Sequence, residues 1–237
     1  DPKNAKVVNF ADRIYHDLNE LGYDIQWGFA MQRTVFTGDN SIFPICQKYI
    51  EEAENDEELT DCLNKKIGII GHRKMRIATE YLLNKYREAI KRGADKTILD
   101  SYAGTIWAIR DERYIADYLE LIDPKRINIY SSFFVDLMWR LKVHEAEDLL
   151  IELVDHRSGT ISEMTEKYLY DMGLNLSVSK SAIKALGFLK CKKAIPVIEK
   201  YLHPEILPGF FPNDKRRKSH ITEFRNLARK TIERINR

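Results

Sequence analysis

The sequence has few cysteines, few glycines and no long hydrophobic run. Its three cysteines, Cys46, Cys62 and Cys191, are far apart and form no CxxC spacing, so neither a disulfide framework nor a cysteine zinc site is expected. No apolar run approaches the ~20 residues that a membrane-spanning helix requires. Residues 1–10 are polar and lack the apolar segment of a signal peptide. We therefore predict reduced, buried thiols, no membrane contact and a cytoplasmic location.

Recognisable catalytic motifs are also missing. The six histidines include no two spaced by four residues, which excludes an HExxH zinc site. Neither the GxSxG turn of serine hydrolases nor the glycine-rich loops that bind nucleotide phosphates occur. The formal net charge of +2 gives no overall field that would attract nucleic acid or a membrane. The sequence thus predicts no catalytic residue, metal ligand or cofactor, and it favours a binding protein over an enzyme.

The most regular pattern lies in residues 178–203, which read as two short helices joined by a turn at Cys191 and Lys192. Pro196 is tolerated near the start of the second helix, because N–H groups of the first turn have no intrahelical partner. Each helix has one apolar face with helical spacing. These faces are formed by Ala182, Ala185, Leu186 and Leu189 and by Ala194, Ile198, Tyr201 and Leu202.

Part of this pattern recurs near the other end of the chain. Residues 43–50 align without gaps with residues 195–202, with identical Pro, Lys and Tyr and matching apolar positions. Between them three more helix pairs are predicted, over 58–70 and 74–90, 98–109 and 114–122, and 127–141 and 145–154. If Ile70, Ile109, Leu141 and Leu189 are equivalent, the unit recurs at spacings of 39, 32 and 48 residues. Such recurrence predicts a repeat protein, with room for an extra helix over 161–172.

The pair at 178–203 resembles a HEAT repeat, the helical hairpin of α-solenoids. The resemblance rests on Ala185-Leu186-Gly187-x-Leu189 and on Ala194-Ile195-Pro196-x-Ile198. It implies an all-α fold, an irregular HEAT-like α-solenoid of about five helical hairpins in a single domain over residues 1–237. A basic, proline-rich loop is predicted over 204–218 and a capping helix over 219–236. A HEAT repeat is a scaffold and names no reaction.

Charge is segregated along the chain. Residues 51–61 hold seven acids and no Lys or Arg, residues 65–92 hold nine Lys or Arg against two acids, and residues 214–237 hold nine against three. In a repeat protein these segments become bands on one surface. The candidate partner-binding residues are Arg73, Lys74, Arg76, Lys215, Arg216, Arg217, Lys218, Arg225 and Arg229.

These observations favour a non-catalytic interaction module that holds a macromolecular partner. Another protein is the leading candidate for the partner. Nucleic acid is the alternative, because clustered cations can bind phosphates with salt-sensitive affinity. The sequence leaves the oligomeric state open.

Other families provide enzymatic alternatives. The HEAT-like alkylpurine DNA glycosylases are compact solenoids with a basic concave face, aromatic residues and an aspartate. This chain has no Trp–Asp cluster that matches their site, although it offers candidate residues of both kinds. These are Tyr102, Trp107, Trp139, Asp100 and Asp136. Helical-repeat di-iron hydroxylases bind metal through several His-Glu pairs, whereas this chain has only His144-Glu145. HEAT-like repeats also occur in bilin lyase subunits, but nothing here marks a bilin pocket.

The segment Ile67–Lys74 contains a GxxG spacing that is similar to the nucleic-acid-binding loop of KH domains. Such loops usually have polar or basic residues between the glycines, whereas Ile69 and Ile70 are apolar. We therefore predict a helix followed by a turn, with Ile70 in the core.

Overall fold

The structure is a computed structural model of the chain. The residues that it describes are 43–54, 67–68, 70–71, 74–122, 130–155, 174–203 and 217–237, together with Asn9, Arg13, His16 and Asp17. For residues 174–177 and 217–220 only the backbone is described. Cys62, the helix predicted over 161–172 and most of the loop predicted over 204–218 lie outside these residues.

All regular elements within the described residues are helical, which confirms the all-α class. The α-helices are α1 (Phe43–Glu54), α2 (Thr79–Lys91), α3 (Lys96–Ile109), α4 (Ile115–Leu121), α5 (Ser131–Arg140), α6 (Glu147–Asp155), α7 (Leu174–Phe188), α8 (Ile195–Glu199) and α9 (Arg217–Asn236). Short 3-10 helices precede α2, α4, α6 and α8, and another, Lys200–Leu202, follows α8. In this part of the chain no helix has both the length and the apolar character needed to cross a bilayer.

The pairs predicted over 98–109 and 114–122, over 127–141 and 145–154, and over 178–203 are confirmed within the described residues, with small changes at their ends. Of the helix predicted over 58–70, residues 58–66 and 69 lie outside the described residues. The second helix of a pair begins with a 3-10 turn, so its α-helical part starts later than predicted. An example is Lys192–Ala194 before α8. The last helix begins at Arg217, two residues before the predicted start, so Arg217 and Lys218 belong to helix and not to loop. Both are good helix formers, and the first turn needs no intrahelical acceptor for its N–H groups.

The described contacts group the chain into two compact units, residues 1–114 and residues 115–237. In the first unit α2 packs on α3. Both helices bury apolar faces, including Leu82 and Tyr86 of α2 and Ile106 of α3, each fully buried. Amphipathic spacing therefore builds this core in the expected way.

Two buried carboxylates tie the first unit together. Glu54, at the end of α1, is 5% exposed and accepts from Lys85 at 2.8 Å, Arg92 at 3.2 Å and the Tyr102 hydroxyl at 2.5 Å. Asp111, in the turn after α3, is the second carboxylate. It is fully buried and accepts a hydrogen bond from the Thr79 hydroxyl. Loss of either acceptor would leave buried donors without partners.

Asp111 accepts hydrogen bonds from Nη2 of Arg113 at 2.6 Å and from Thr79 Oγ1 at 3.1 Å. Burial alone would raise the pKa of Asp111, but the hydrogen bonds from Arg113 and Thr79 outweigh it and hold the pKa below its ordinary value. The group is therefore a structural anion.

In the second unit α7 is the central helix. It packs against α5, α6 and α9, while α8 packs against α6 and α9. Ile183, Ala185 and Leu186 of α7 are fully buried. From residue 178 onward, where the side chains of α7 are described, Lys180, Ser181, Lys184 and Phe188 form a stripe that lacks full cover. This stripe forms the floor of the surface described below.

Four of the described helix ends share one backbone geometry. Lys74, Arg110, Lys142 and Lys190 are left-handed, with φ between 50° and 57°. After three of these residues, the backbone N–H of the following residue donates to the carbonyl five residues earlier. Examples are Val143 to Met138 at 2.8 Å and Cys191 to Leu186 at 3.0 Å. This is the Schellman pattern, which usually has glycine at the left-handed position.

These left-handed residues recur at spacings of 36, 32 and 48 residues. The predicted equivalents Ile109, Leu141 and Leu189 each come directly before one of them, which fits the structure. At the first turn, the position directly before the left-handed residue is 73. Ile70 lies three positions earlier, in the preceding helix. Ile70 is nevertheless fully buried. A helix followed by a turn is thus confirmed here.

The aligned segments 43–50 and 195–202 make matching contacts. Lys48 Nζ lies 3.0 Å from Asp17 Oδ2, and Lys200 Nζ lies 2.6 Å from Asp155 Oδ1. The tyrosine that follows each lysine is buried, with 1% and 2% exposure. The lysines and tyrosines of the two segments thus correspond in position, although the Tyr49 hydroxyl donates to Asp17 and the Tyr201 hydroxyl to the Val154 carbonyl.

Two of the three cysteines lie in the described residues, and both are free and buried as predicted. Burial, together with the Glu147 carboxylate, raises the pKa of Cys191 to about 11. Its thiol is therefore protonated at neutral pH and unreactive.

Candidate partner-binding surface

The predicted basic residues of the first unit lie at the turn before α2. Lys74 is exposed in its left-handed position. Arg76 is half exposed and pairs with Glu112 at 2.8 Å. Its charge is thus partly compensated. Arg73 lies outside the described residues.

In the second unit the described members of the predicted cluster are Arg225 and Arg229. Arg225 donates from Nε to the Leu202 carbonyl at 2.9 Å, so it caps the 3-10 helix after α8. Arg229 is exposed one turn later. Lys215 and Arg216 lie outside the described residues, and for Arg217 and Lys218 only the backbone is described.

A different set of cations surrounds a groove between α7 and α9. We call it the basic groove. It has a volume of about 370 Å³ and is lined by Lys180, Ser181, Lys184, Glu223, Asn226, Leu227 and Lys230. Leu227 contributes an apolar side chain to the groove. Lys180 forms an ion pair with Glu223 across the groove at 2.5 Å. Arg229 is absent from this lining because it lies on another flank of α9.

A partly exposed aromatic pair lies at the end of the basic groove. The Trp139 ring of α5 stacks on the Phe188 ring of α7, with centroids 4.0 Å apart and planes 14° apart. Phe188 is 39% exposed and, with Ile77, is one of two exposed large apolar side chains among the described residues. It follows Lys184 by one helical turn, so the pair and the groove are continuous.

Cations cover the aromatic pair. The Arg234 guanidinium lies 3.9 Å from the Phe188 centroid and that of Arg140 lies 4.5 Å from the Trp139 centroid. Trp139 and Arg234 must occupy opposite faces of Phe188, because both lie about 4 Å from its centroid and would otherwise overlap. Each cation–π contact contributes about 0.5–1 kcal/mol at an exposed site.

Asp136 organises the α5 side of this surface. Its carboxylate accepts from the Trp139 indole N–H at 2.6 Å and from Arg140 Nε, and it lies 3.9 Å from Lys184 Nζ. These bonds fix the orientation of the indole ring. Asp136 is only 16% exposed, so it acts as a positioning group for the ring and the guanidinium.

The local charge of this surface is positive. The basic groove and the aromatic pair are surrounded by five cations, Arg140, Lys180, Lys184, Lys230 and Arg234, and by two carboxylates, Asp136 and Glu223. Both carboxylates are already paired with cations. The excess of three positive charges is therefore available to an anionic partner.

Sequence reasoning missed this surface. The sequence offers Trp139 as an aromatic candidate, whereas Phe188 and Arg234 are not among the residues that it predicts. Those two residues belong to helices far apart in the chain, and only packing of α7 against α5 and α9 brings them together. The one local signal was Phe188 itself, an aromatic outside the apolar face of its helix.

Other candidate residues lie in less suggestive places. Asp100 and Trp107 line a groove in the first unit between α3 and the helical residues before the first turn, whereas Tyr102 is buried against Glu54. His144 Nδ1 lies 2.9 Å from Glu147, not against the adjacent Glu145. The described residues contain no group of three or more potential metal ligands.

Comparisons of this chain with protein-family models, with curated proteins and with solved structures gave no match.

Proposed function

We propose that this chain is a non-catalytic helical-repeat module that binds a macromolecular partner through a charged surface. The observation that carries the proposal is the basic groove with its partly exposed aromatic pair. Protein interfaces are rich in Trp, Phe and Arg, and their energy is concentrated in a few such residues. A large aromatic held by Asp136 and flanked by guanidinium groups fits that pattern.

A HEAT-like α-solenoid is the architecture that we propose for the module. Supporting it are the recurring left-handed turns, the 3-10 first turns and the matching contacts of residues 43–50 and 195–202. In such an array each hairpin adds a stripe to a continuous binding surface. A cytoplasmic location is part of the proposal, since the described cysteines are free and buried.

The experiment that tests this function is affinity capture with the tagged full chain from an extract of its own cells. The capture is run at low and high salt, with and without nuclease. A stoichiometric partner that high salt releases is expected, because charge dominates the surface. If no stoichiometric partner is retained even at low salt, the proposed function is wrong.

The second candidate function is a nucleic-acid-binding protein or an enzyme of the HEAT-like alkylpurine DNA glycosylase type. One observation favours it. The Trp139 indole donates to Asp136 beside several cations, an aromatic–carboxylate combination of the general kind that such a site requires. Release of modified bases from alkylated DNA is the test, with Asp136→Asn as the comparison. Release by the wild type that the variant loses would support an enzyme, and no release would remove the glycosylase candidate.

A further inference from the structure

We infer that the basic groove and the aromatic pair bind an acidic peptide segment of another protein, one that carries an apolar side chain between its carboxylates. The inference deepens the proposed function and rests on it. It moves the partner-binding site from the sequence-predicted Arg225 and Arg229 to Lys184, Lys230 and Arg234.

The cations in the groove are placed for carboxylates. The Arg234 guanidinium carbon lies 3.9 Å from the Phe188 ring centroid, and a guanidinium has a planar set of N–H donors that can bind a carboxylate bidentately. Lys230 is exposed one turn earlier on the same flank of α9 and lines the groove. Neither makes an ion pair with another described residue, so binding a carboxylate would break no existing pair of theirs.

The groove also has an apolar contact point. Leu227 lines it between the two α9 turns that carry Glu223 and Lys230, and the exposed part of Phe188 lies at its end. An apolar side chain of a peptide would bury surface there while neighbouring acids reach the cations. A helix or an extended segment that lies in a groove between two helices binds in this way.

A nucleic-acid strand fits this surface less well. Single strands bind by stacking bases on open aromatic faces. Here both faces of Phe188 are covered, by Trp139 on one side and Arg234 on the other. A phosphate backbone also has a charge at every step and would pass the carboxylates of Asp136 and Glu223. A peptide can place neutral residues opposite them.

The test is fluorescence anisotropy of three labelled probes titrated with the full chain at low and high salt. One probe is a peptide of Glu and Asp with leucine at every fourth position. The second has serine in place of leucine, and the third is a short oligothymidylate. We expect the leucine peptide to bind best, with binding weakened roughly tenfold by serine because burial of an apolar side chain is lost.

Two charge reversals on α9 form a matched pair. Arg229 and Arg234 lie about 140° apart around the helix, so only Arg234 reaches the aromatic pair at the end of the groove. Arg234→Glu is expected to weaken binding of the leucine peptide by roughly fivefold or more at low salt, and Arg229→Glu by less than roughly twofold. Lys230→Glu serves as a second groove variant, since this exposed lysine makes no ring contact that supports the fold.

No binding of the leucine peptide, or an equal loss in Arg229→Glu and Arg234→Glu, overturns the inference. Tighter binding of the oligothymidylate with the same dependence on Arg234 also overturns it and assigns the groove to nucleic acid. If a partner captured from the cell extract stays bound to Arg234→Glu, the proposed function holds and only the groove assignment is wrong. If neither a partner nor any probe binds, both are wrong.

Discussion

Replacement of Gly187 by alanine tests the packing that creates the basic groove. Gly187 lies in α7 where this helix meets α9, and a Cβ at this position would lie 2.8 Å from Cγ2 of Thr231. Carbon atoms in contact prefer about 3.5–4.0 Å. Thr231 is 1% exposed, so its methyl group has little room to move. Either the threonine changes rotamer or the two helices separate.

The expected size of the effect follows from two opposing contributions. Gly to Ala at an unhindered helical position stabilises by about 1 kcal/mol. Overpacking of a core costs about 1–3 kcal/mol. We therefore expect Gly187→Ala to lower the free energy of unfolding by about 1 kcal/mol. In a Thr231→Ala background the clash is absent, and the same change should raise the free energy of unfolding by about 1 kcal/mol.

Urea denaturation of the wild type, both single variants and the double variant measures this coupling. The matched control is Gly68→Ala, because a Cβ at this helical position meets no atom within 4 Å. That control should stabilise by about 1 kcal/mol. If Gly187→Ala has the same effect with Thr231 and without it, α7 and α9 do not approach as closely as described, and the groove between them would need to be redrawn.

Three further predictions concern the turns and the buried carboxylates. Lys142→Gly should be more stable than Lys142→Ala by about 1 kcal/mol, since both lose the charge and only glycine relieves the left-handed backbone; equal urea midpoints would contradict this. The depressed pKa of Asp111 means that its stabilisation is complete above its ordinary pKa of about 3.9 and is lost as the pH falls through the lower folded value. Thermal melts in acid should therefore show a smaller pH dependence for Asp111→Asn, and an unchanged profile would refute its role. Glu54→Ala should destabilise the first unit by about 3 kcal/mol, because a lysine and a tyrosine hydroxyl lose their buried acceptor; a loss below about 1 kcal/mol by urea denaturation would show that water replaces the carboxylate.

Several features of the fold were predictable because they depend on neighbouring residues. Apolar spacing of 3 and 4 residues located α3, α7 and most of the other described helices. Arg110 and Lys142 begin the gaps between predicted helices, and the left-handed Lys190 comes directly before the turn predicted at Cys191 and Lys192. Their left-handed geometry was not predicted, because Lys and Arg stand where glycine is the usual signal. A lysine or arginine at these positions therefore gives no sequence signal for a left-handed turn.

The candidate site was predicted less well, and α9 shows why. Clustering along the chain pointed to Arg225 and Arg229, which are four residues apart and share one side of the helix. Arg225 proves to cap a neighbouring 3-10 helix, whereas Lys230 and Arg234 lie toward α7. Spacing within a helix shows which residues share a flank. It does not show which flank faces a neighbouring helix.

The helices, the places of the turns and the similarity of residues 43–50 to 195–202 follow from the sequence alone, because they depend on contacts within a few residues of the chain. The stacking of Trp139 on Phe188 and the contact of Arg234 with that ring depend on tertiary packing. These residues are separated by one or more helices, and their contact depends on how α5, α7 and α9 pack. This packing depends on residues such as Gly187 and Thr231, which approach each other closely. No local pattern in the chain specifies that approach.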